Sequence, residues 1–534
     1  VQKSIFSDRN FWLLALLSAV LLFPSLGKMP LWIYDEVRNA ECAREMWERK
    51  DYIVPTFNGE LRTLKPVLHY YFMWGGFEIF GMNEWGARFF SSVFGLMTIL
   101  LTYAFVARYS SRLHALVTAC ILLASTHLLF EFRMSVPDPY LIFFNTLSIF
   151  TAFRYFEERR FSALLVSAIA FGFGILAKGP VAVALPGLAI VCWLVWQRKW
   201  KQIFHWHILV AGIVMLAVAL PWYIAVHNAT DGAWTRGFFL EHNIGRFEKP
   251  MEGHGGLFLL VPLFVLVGLL PAAVFIGESV RDFRQRYRAS FLQLCFCVMI
   301  SFIAFYSVSG TKLPNYPMPC YPFVAFVLGN YITLAINRGT RTRTYPFIIL
   351  LVINIALPIG LYLGIKNEVE LKGYENHAFI LGLLTIAAIV SLVLYKRKGF
   401  KAAMVGLMVI YTLFNIIFFN YLYPALYRNN PLSKTLHHVQ KYENVVAYRI
   451  FHPSFTFYVP KRIPEFQDAA SLRAYLQNNK ALILTRESLL PELDSLNLRK
   501  LASHHDLFED HTTVLLTNEE STVHSPRSTD ESFR

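Results

Sequence analysis

The chain has 534 residues, of which 55% are apolar and only 16% are charged. A soluble surface carries about 25% charged residues, so a string of soluble domains is excluded, as are collagen, a disordered chain and a secreted disulfide scaffold. The net charge of +14 reads as the basic loops of a membrane protein rather than as affinity for nucleic acid, because there is no basic tail and no nucleic-acid motif.

Apolar runs long enough to cross a bilayer, about 20 residues each, recur along the chain. Thirteen are predicted, near 10–27, 87–107, 113–130, 139–156, 162–177, 181–197, 206–226, 257–277, 290–308, 318–336, 345–365, 377–395 and 402–423. Lys3 and Arg9 precede the first, but no small-x-small cleavage pattern follows at Pro24–Gly27, so it reads as a retained anchor. Lys and Arg collect after every even-numbered span, from Arg108 and Arg112 through Arg154, Arg159 and Arg160 to Lys396, Arg397 and Lys398. This places those loops and the N-terminus in the cytoplasm and the C-terminus outside. Cys42, Cys120, Cys192, Cys295, Cys297 and Cys320 show no framework spacing and read as apolar fillers.

The expected fold is therefore an all-α polytopic membrane protein carrying amphipathic helices in its outer loops. Residues 1–427 form the membrane domain, and the outer segments 28–86 and 227–256 cover its site. Residues 428–517 read as a small α/β domain, with strands at Val445–Ile450, Phe455–Val459, Ala481–Thr485 and Thr513–Thr517 and a helix at Ala469–Gln477. The polar run 518–534 is predicted to be disordered. No internal repeat of the transporter kind is found.

Unusual charge crowds at one interface. Asp35 and Glu36 open a helical pattern that also carries Arg38. Asp35 is placed to cap that helix and Glu36 to favour its first turn, yet two adjacent carboxylates at a membrane surface exceed what a cap needs. Lys65, between Leu64 and Pro66, is set either to snorkel to the headgroups or to hold a phosphate. Asp138, Lys178 and Lys312 sit in short outer loops beside Pro or Gly. Glu241 and His242 are adjacent, with Arg246 one helical turn beyond His242 and His254 further on. The spacing lacks the HExxH or CxxC pattern of a zinc site.

The order Tyr34-Asp-Glu-x-Arg-x-x-Glu-x-Ala-Arg-Glu-Met, Val54-Pro-x-Phe-Asn-Gly and Lys65-Pro-x-Leu-x-Tyr-Tyr resembles the lipid-to-lipid glycosyltransferases of the GT-C superfamily. Pro137-Asp-Pro, Ala177-Lys-Gly-Pro, Pro221-Trp-Tyr, Phe238-Phe-x-x-Glu-His and Lys312-Leu-Pro-x-Tyr continue the likeness in the same order. The nearest pattern is that of the enzymes placing 4-amino-4-deoxy-L-arabinose on lipid A, with the protein O-mannosyltransferases more distant. The resemblance implies a bacterial inner-membrane enzyme that takes a sugar from polyprenyl (undecaprenyl) phosphate and gives it, with inversion, to a lipid A-like acceptor on the periplasmic side. A protein acceptor is the alternative; a transporter is the competing class. Asp35 is implied as the essential acid, Asp138 as a second acidic residue, and Lys65, Arg246, Lys178 and Lys312 as donor-phosphate contacts. Tyr321 matches a cavity tyrosine, with Glu36, Arg38, Glu241 and His242 nearby. The family's zinc pairs the histidine with a Glu immediately before the Lys-Pro. That position is Leu64 here, so no metal is expected to be required.

Overall fold

The computed structural model describes residues 5–245, 255–286, 289–339, 343–459 and 461–519. Two compact units emerge: residues 1–367 with 372–426, and residues 368–371 with 427 onward.

In the first unit every predicted span falls on a helix or a bent pair of helices. In chain order the unit's helices begin with α1 (Arg9–Leu22), α2 (Tyr34–Arg49), α3 (Leu68–Phe80), α4 (Glu84–Tyr109), α5 (Arg112–Ala124) and α6 (Thr126–Glu131). They continue as α7 (Asp138–Glu158), α8 (Phe161–Lys178), α9 (Val181–Trp196), α10 (Trp206–Ala229) and the short α11 (Ala233–Arg236). Further long helices run Ser290–Val308, Tyr321–Arg338, Tyr345–Asn367, Gly382–Lys398 and Phe400–Ile417. Among the described residues eight helices are long and apolar enough to cross a bilayer, or nine if the pair Leu260–Gly268 and Ala272–Phe283, bent by 113°, counts as one span. Three further apolar helices, α1, α5 and α9, are shorter.

Side chains mark the starts. Asp8, Asn83 and Ser111 each accept a backbone N–H two or three residues on, at the heads of α1, α4 and α5. The run 113–130 is broken at Ser125, which caps α6 and donates to Gly268 O at 2.5 Å. Burial sorts the helices: the apolar window of Met318–Arg338 is 78% buried and lies at the centre, whereas those of α10 and Tyr345–Asn367 are 17% buried and face outward. An apolar helix exposed in this way is at home only in lipid.

The outer segment 28–86 holds α2 and α3, joined by a hairpin of β1 (Thr56–Phe57) and β2 (Glu60–Leu61). Asn58 and Gly59 both have positive φ, 51° and 78°, the turn for which Asn-Gly is suited. The head of α2 differs from expectation. Its N-cap is Ile33, which offers no side-chain bond, so Asp35 lies inside the first turn and is not the cap. Glu36 forms a buried bidentate pair with Arg88 (2.6 and 2.7 Å) and accepts Ser135 N–H at 3.0 Å. Arg88 also donates to Leu26 O and Met29 O. Glu36 thus pins the outer segment to α4. Glu36→Gln leaves a buried guanidinium without its counter-charge and should cost about 3–5 kcal/mol; thermal unfolding in detergent will read this as a large loss of stability.

The second unit is a five-stranded sheet in the order β4-β3-β5-β7-β6, formed by β3 (Val445–Tyr448), β4 (Glu465–Phe466), β5 (Leu482–Arg486), β6 (Arg499–His505) and β7 (Thr512–Thr517). β3 is parallel to β4 and β5, while β7 runs antiparallel to both β5 and β6. A helix at Ala469–Leu476 packs on it, capped by Asp468. Phe455–Val459, expected as a strand, is the 3-10 helix Pro453–Tyr458. Pro453 opens that turn, and the His452 side chain accepts Ser454 N–H. The alternating Phe455 and Phe457 imitated a strand period. Order also persists past 517: the Asn518 side chain bonds Ala481 N, Leu476 O and Asn479 O. The rest of the predicted disordered tail, from 520, lies outside the described residues. The stretch Glu368–Leu371 completes this unit. Glu368 accepts Phe508 N–H at 3.0 Å, and Glu370 accepts His505 N–H at 2.8 Å and pairs with Lys434.

Candidate active site

α7 and α8 form an antiparallel pair, so the start of one and the end of the other meet at the same end of the bundle. Asp138 is the first residue of α7, held between Pro137 and Pro139, where a carboxylate is favoured by the helix dipole. Lys178 is the last residue of α8, where a cation is favoured. The two pair at 2.5 Å and are largely buried. Gly179 ends α8 with φ of 89°, and a Cβ there would lie 2.6 Å from the Phe238 ring. The Ala-Lys-Gly-Pro motif is thereby explained: the glycine turns the chain and makes room for Phe238, leaving Lys178 at the mouth of the bend.

Beside this pair is a cavity of about 120 Å³ lined by Leu64, Lys65, Lys178, Phe238, His242, Tyr306, Ser309 and Tyr316. One water needs about 10–15 Å³ on this measure, so a phosphate-sized group fits. Lys65 is buried at the entrance to α3. The Tyr316 ring lies 5.0 Å from Lys178 Nζ. Lys312 is near, donating from Nζ to Ser309 O at 2.7 Å. The first outer segment interlocks over this end with the close of α10 and with the second outer segment. Trp222 Nε1 donates to Ile53 O at 3.1 Å, Trp234 Nε1 donates to Arg62 O at 3.0 Å, and Gly237 abuts Thr63 so closely that a Cβ would clash.

Asp35 lies within electrostatic reach of Arg62, His69 and Glu131. Burial, with Lys65 and Arg62 adding to it, holds His69 well below the usual imidazole range, so it is neutral. Glu131, which follows the apolar span 113–130, is raised to about 8 by burial and then by the negative charge of Asp138. Asn315 Nδ2 lies 3.4 Å from its carboxylate.

The structure thus brings Lys65, Lys178, Asp138 and His242 together, with Asp35 and Lys312 close by. Other expected residues are elsewhere. Tyr321 does not line the cavity; buried in its helix, it donates to Phe264 O at 3.0 Å and meets His127 Nδ1 at 3.0 Å. Tyr316, five residues earlier, lines the cavity. Arg38 stacks on Tyr34, 5.1 Å from the ring. Glu241 is exposed on the π-helix Gly237–Ile244, while its neighbour His242 faces the cavity. Arg246 and His254 lie outside the described residues. Sequence reasoning missed Glu131, Arg62, His69 and Tyr316. The signal for Glu131 was a carboxylate directly after Leu128-Leu-Phe at the end of an apolar run.

Among the described residues no group of three ligands converges at the cavity: His242 lines it together with Leu64, which offers no ligand atom. Among the described residues one group of three converging ligands is found, His452, Asp506 and Glu509, in the second unit, and there Asp506 is engaged by Arg486 and Thr513.

The family model for dolichyl-phosphate-mannose-protein mannosyltransferases matches residues 64–224, which contain Lys65, Asp138 and Lys178. An undecaprenyl phosphate-alpha-4-amino-4-deoxy-L-arabinose arabinosyl transferase 2 of Pseudomonas fluorescens is 28% identical over 392 residues, 70% of this chain and 69% of that protein. The corresponding transferase of Pseudomonas aeruginosa is 29% identical over 390 residues, 71% and 70% of the two chains. A crystal structure of ArnT from Cupriavidus metallidurans bound to undecaprenyl phosphate superposes with a TM-score of 0.78 at 20% identity, covering 96% of this chain and 99% of that one.

The bundle, with two lysines lining a pocket at one end, has the fold of that structure. In sequence the chain is similar to these undecaprenyl phosphate-dependent arabinosyl transferases and, over residues 64–224, to the protein mannosyltransferase family.

Proposed function

We propose that the chain moves an amino-pentose of the 4-amino-4-deoxy-L-arabinose kind from undecaprenyl phosphate to a lipid A-like acceptor. The observation that carries this reading is the small cavity into which Lys65 and Lys178 both project, roofed by the interlocked outer segments. The similarity to the arabinosyl transferases supports pentose over hexose and lipid over protein. The asymmetric distribution of Lys and Arg among the loops supports placing the site on the periplasmic face of the inner membrane.

In the reaction an acceptor oxygen attacks the anomeric carbon of the sugar. The bond from that carbon to the carrier phosphate oxygen breaks, and polyprenyl phosphate leaves with the electron pair. Lys65 and Lys178, both largely buried, hold the phosphate as its charge grows. Asp138 pairs with Lys178 and fixes the ammonium in place. A carboxylate engaged in that way is not a free nucleophile. This leaves Asp35 to act on the acceptor or the developing charge at the sugar, and single displacement with inversion follows. Among the described residues Leu64 and the surroundings of His242 supply no set of metal ligands, and transfer should continue in EDTA. Chelator inhibition reversed by stoichiometric zinc would show that a metal takes part.

Glu131 adds a pH limit. As pH rises through about 8 its carboxyl loses a proton and places a second negative charge near Lys178, which weakens phosphate binding. KM for the donor should therefore rise on the alkaline side, and Glu131→Gln should abolish that rise while leaving the neutral-pH KM nearly unchanged. An identical alkaline limb in the variant would remove Glu131 from the titration. The function as a whole is tested with the purified protein, synthetic undecaprenyl phosphate-linked aminoarabinose and lipid A, with mass spectrometry of the acceptor. No gain of mass with this donor, but gain with a hexose donor, would replace the pentose assignment.

A further inference from the structure

A second cavity of about 240 Å³ lies far from the lysine pocket, between α7, α8, α9 and α10. Its lining is apolar except for Ser167, with Phe156, Leu164, Ile190 and Ile208 among the larger residues. It sits at the opposite end of these helices from the active site: Leu164 is 14 residues before Lys178 along α8, about 21 Å at 1.5 Å per residue.

Three glycines show that this groove is not merely loose packing. Gly172, on α8, meets Val218 so closely that a Cβ would be 2.6 Å away, so there the missing side chain lets two helices touch. Gly187 and Gly212 line the groove, and a Cβ on either would meet nothing within 4 Å. Glycine weakens a helix relative to alanine. Here it brings no protein neighbour closer; it widens a trough that opens sideways to the membrane.

The end of the groove is strongly basic. The loops at 154–160 and 198–201 carry six cations, Arg154, Arg159, Arg160, Arg198, Lys199 and Lys201, against two carboxylates, Glu157 and Glu158. Glu158 is shared by Arg154 and Arg160, and Glu157 takes Lys199. Arg159, Arg198 and Lys201 are exposed and have no carboxylate within 4 Å among the described residues. Arg159 is in electrostatic reach of His207, whose ring packs on Phe161 and which adjoins the groove-lining Ile208. Lys201 lies two residues before Ile203, another lining residue. An apolar trough with surplus positive charge at its mouth matches a molecule with a hydrocarbon chain and an anionic head.

We propose that this groove holds an acyl chain of an anionic membrane phospholipid, with its phosphate held by Arg159 and Lys201. The occupant is a resident lipid of the leaflet opposite the active site, separate from the sugar carrier.

The test uses the full-length protein in nanodiscs of equal phosphatidylglycerol, phosphatidylethanolamine and phosphatidylcholine, with native mass spectrometry of the lipids retained on release. Phosphatidylglycerol should be retained selectively. Each cation near a membrane surface contributes roughly a fivefold preference for an anionic lipid, so Arg159→Gln with Lys201→Gln should lower its retention about 25-fold. Gly212→Leu, which places a side chain in open space, should expel the lipid without lowering the melting temperature. The Gln variant, changed only at exposed positions, decides the matter if Gly212→Leu fails to fold. Equal retention of the three phospholipids, undiminished phosphatidylglycerol in the Gln variant, or its displacement by undecaprenyl phosphate would overturn the proposal.

Discussion

Lys65→Ala should abolish transfer while leaving the protein folded. The residue is buried at the head of α3, lines the pocket with Lys178, and sits between Leu64 and Pro66 in surroundings that shield it from water. A preorganised donor of this type supplies about 10²–10³ of rate when charge builds on its partner in a water-poor site. Lys178 does not replace it, because Asp138, at 2.5 Å, fixes its ammonium at a separate point of the pocket. Lys65→Arg should also fail: the planar guanidinium fork does not fit a pocket of about 120 Å³ shaped around a point charge. Unchanged thermal unfolding with lost turnover is the expected pattern, and full activity of Lys65→Ala would take this residue out of the mechanism.

Asp35→Asn should cost at least about a hundredfold in rate, the low end of what one general base contributes. The change is nearly isosteric. Asp35 is not the helix cap, since Ile33 holds that position, so the substitution removes a charge without unravelling α2. The pH profile distinguishes what the carboxylate does. With a hydroxyl acceptor, the rate should climb as Asp35 ionises. With a phosphate acceptor, it should follow the second ionisation of that phosphate, near pH 6, and a lipid A-like acceptor predicts the latter. A variant retaining more than a tenth of the wild-type rate would leave Asp35 with a binding role only.

The membrane spans and most of the site were readable because both rest on short-range patterns. Apolar runs announced the helices, and Pro137-Asp-Pro and Ala177-Lys-Gly-Pro announced the ends of α7 and α8 that meet in the pocket. What could not be read was pairing at long range. Glu36 looked like a companion of Asp35, but its partner is Arg88, 52 residues away. Tyr321 and Tyr316 differ by five positions, and only the path of the chain before the helix decides which ring reaches Lys178. The strand β6, Arg-Lys-Leu-Ala-Ser-His-His, escaped notice because an edge strand needs no apolar alternation. Phe455–Val459 had that alternation and is a 3-10 turn, set by Pro453 and the capping side chain of His452.

The strand order of the second unit bears on how the protein is made. Of the strands in this sheet β7 is the last to leave the ribosome, yet it lies inside the sheet, between β5 and β6. Until residues 512–517 emerge, β5 has no partner on one side and β6 has none at all. The stretch Glu368–Leu371 is synthesised much earlier, and must wait for His505 and Phe508 to receive its carboxylates. Assembly of this unit therefore waits for residues 512–517, which are made after the membrane helices of the first unit. A premature stop a few codons before 512 would remove a central strand rather than a dispensable tip, and would leave an unfinished domain for the quality-control proteases.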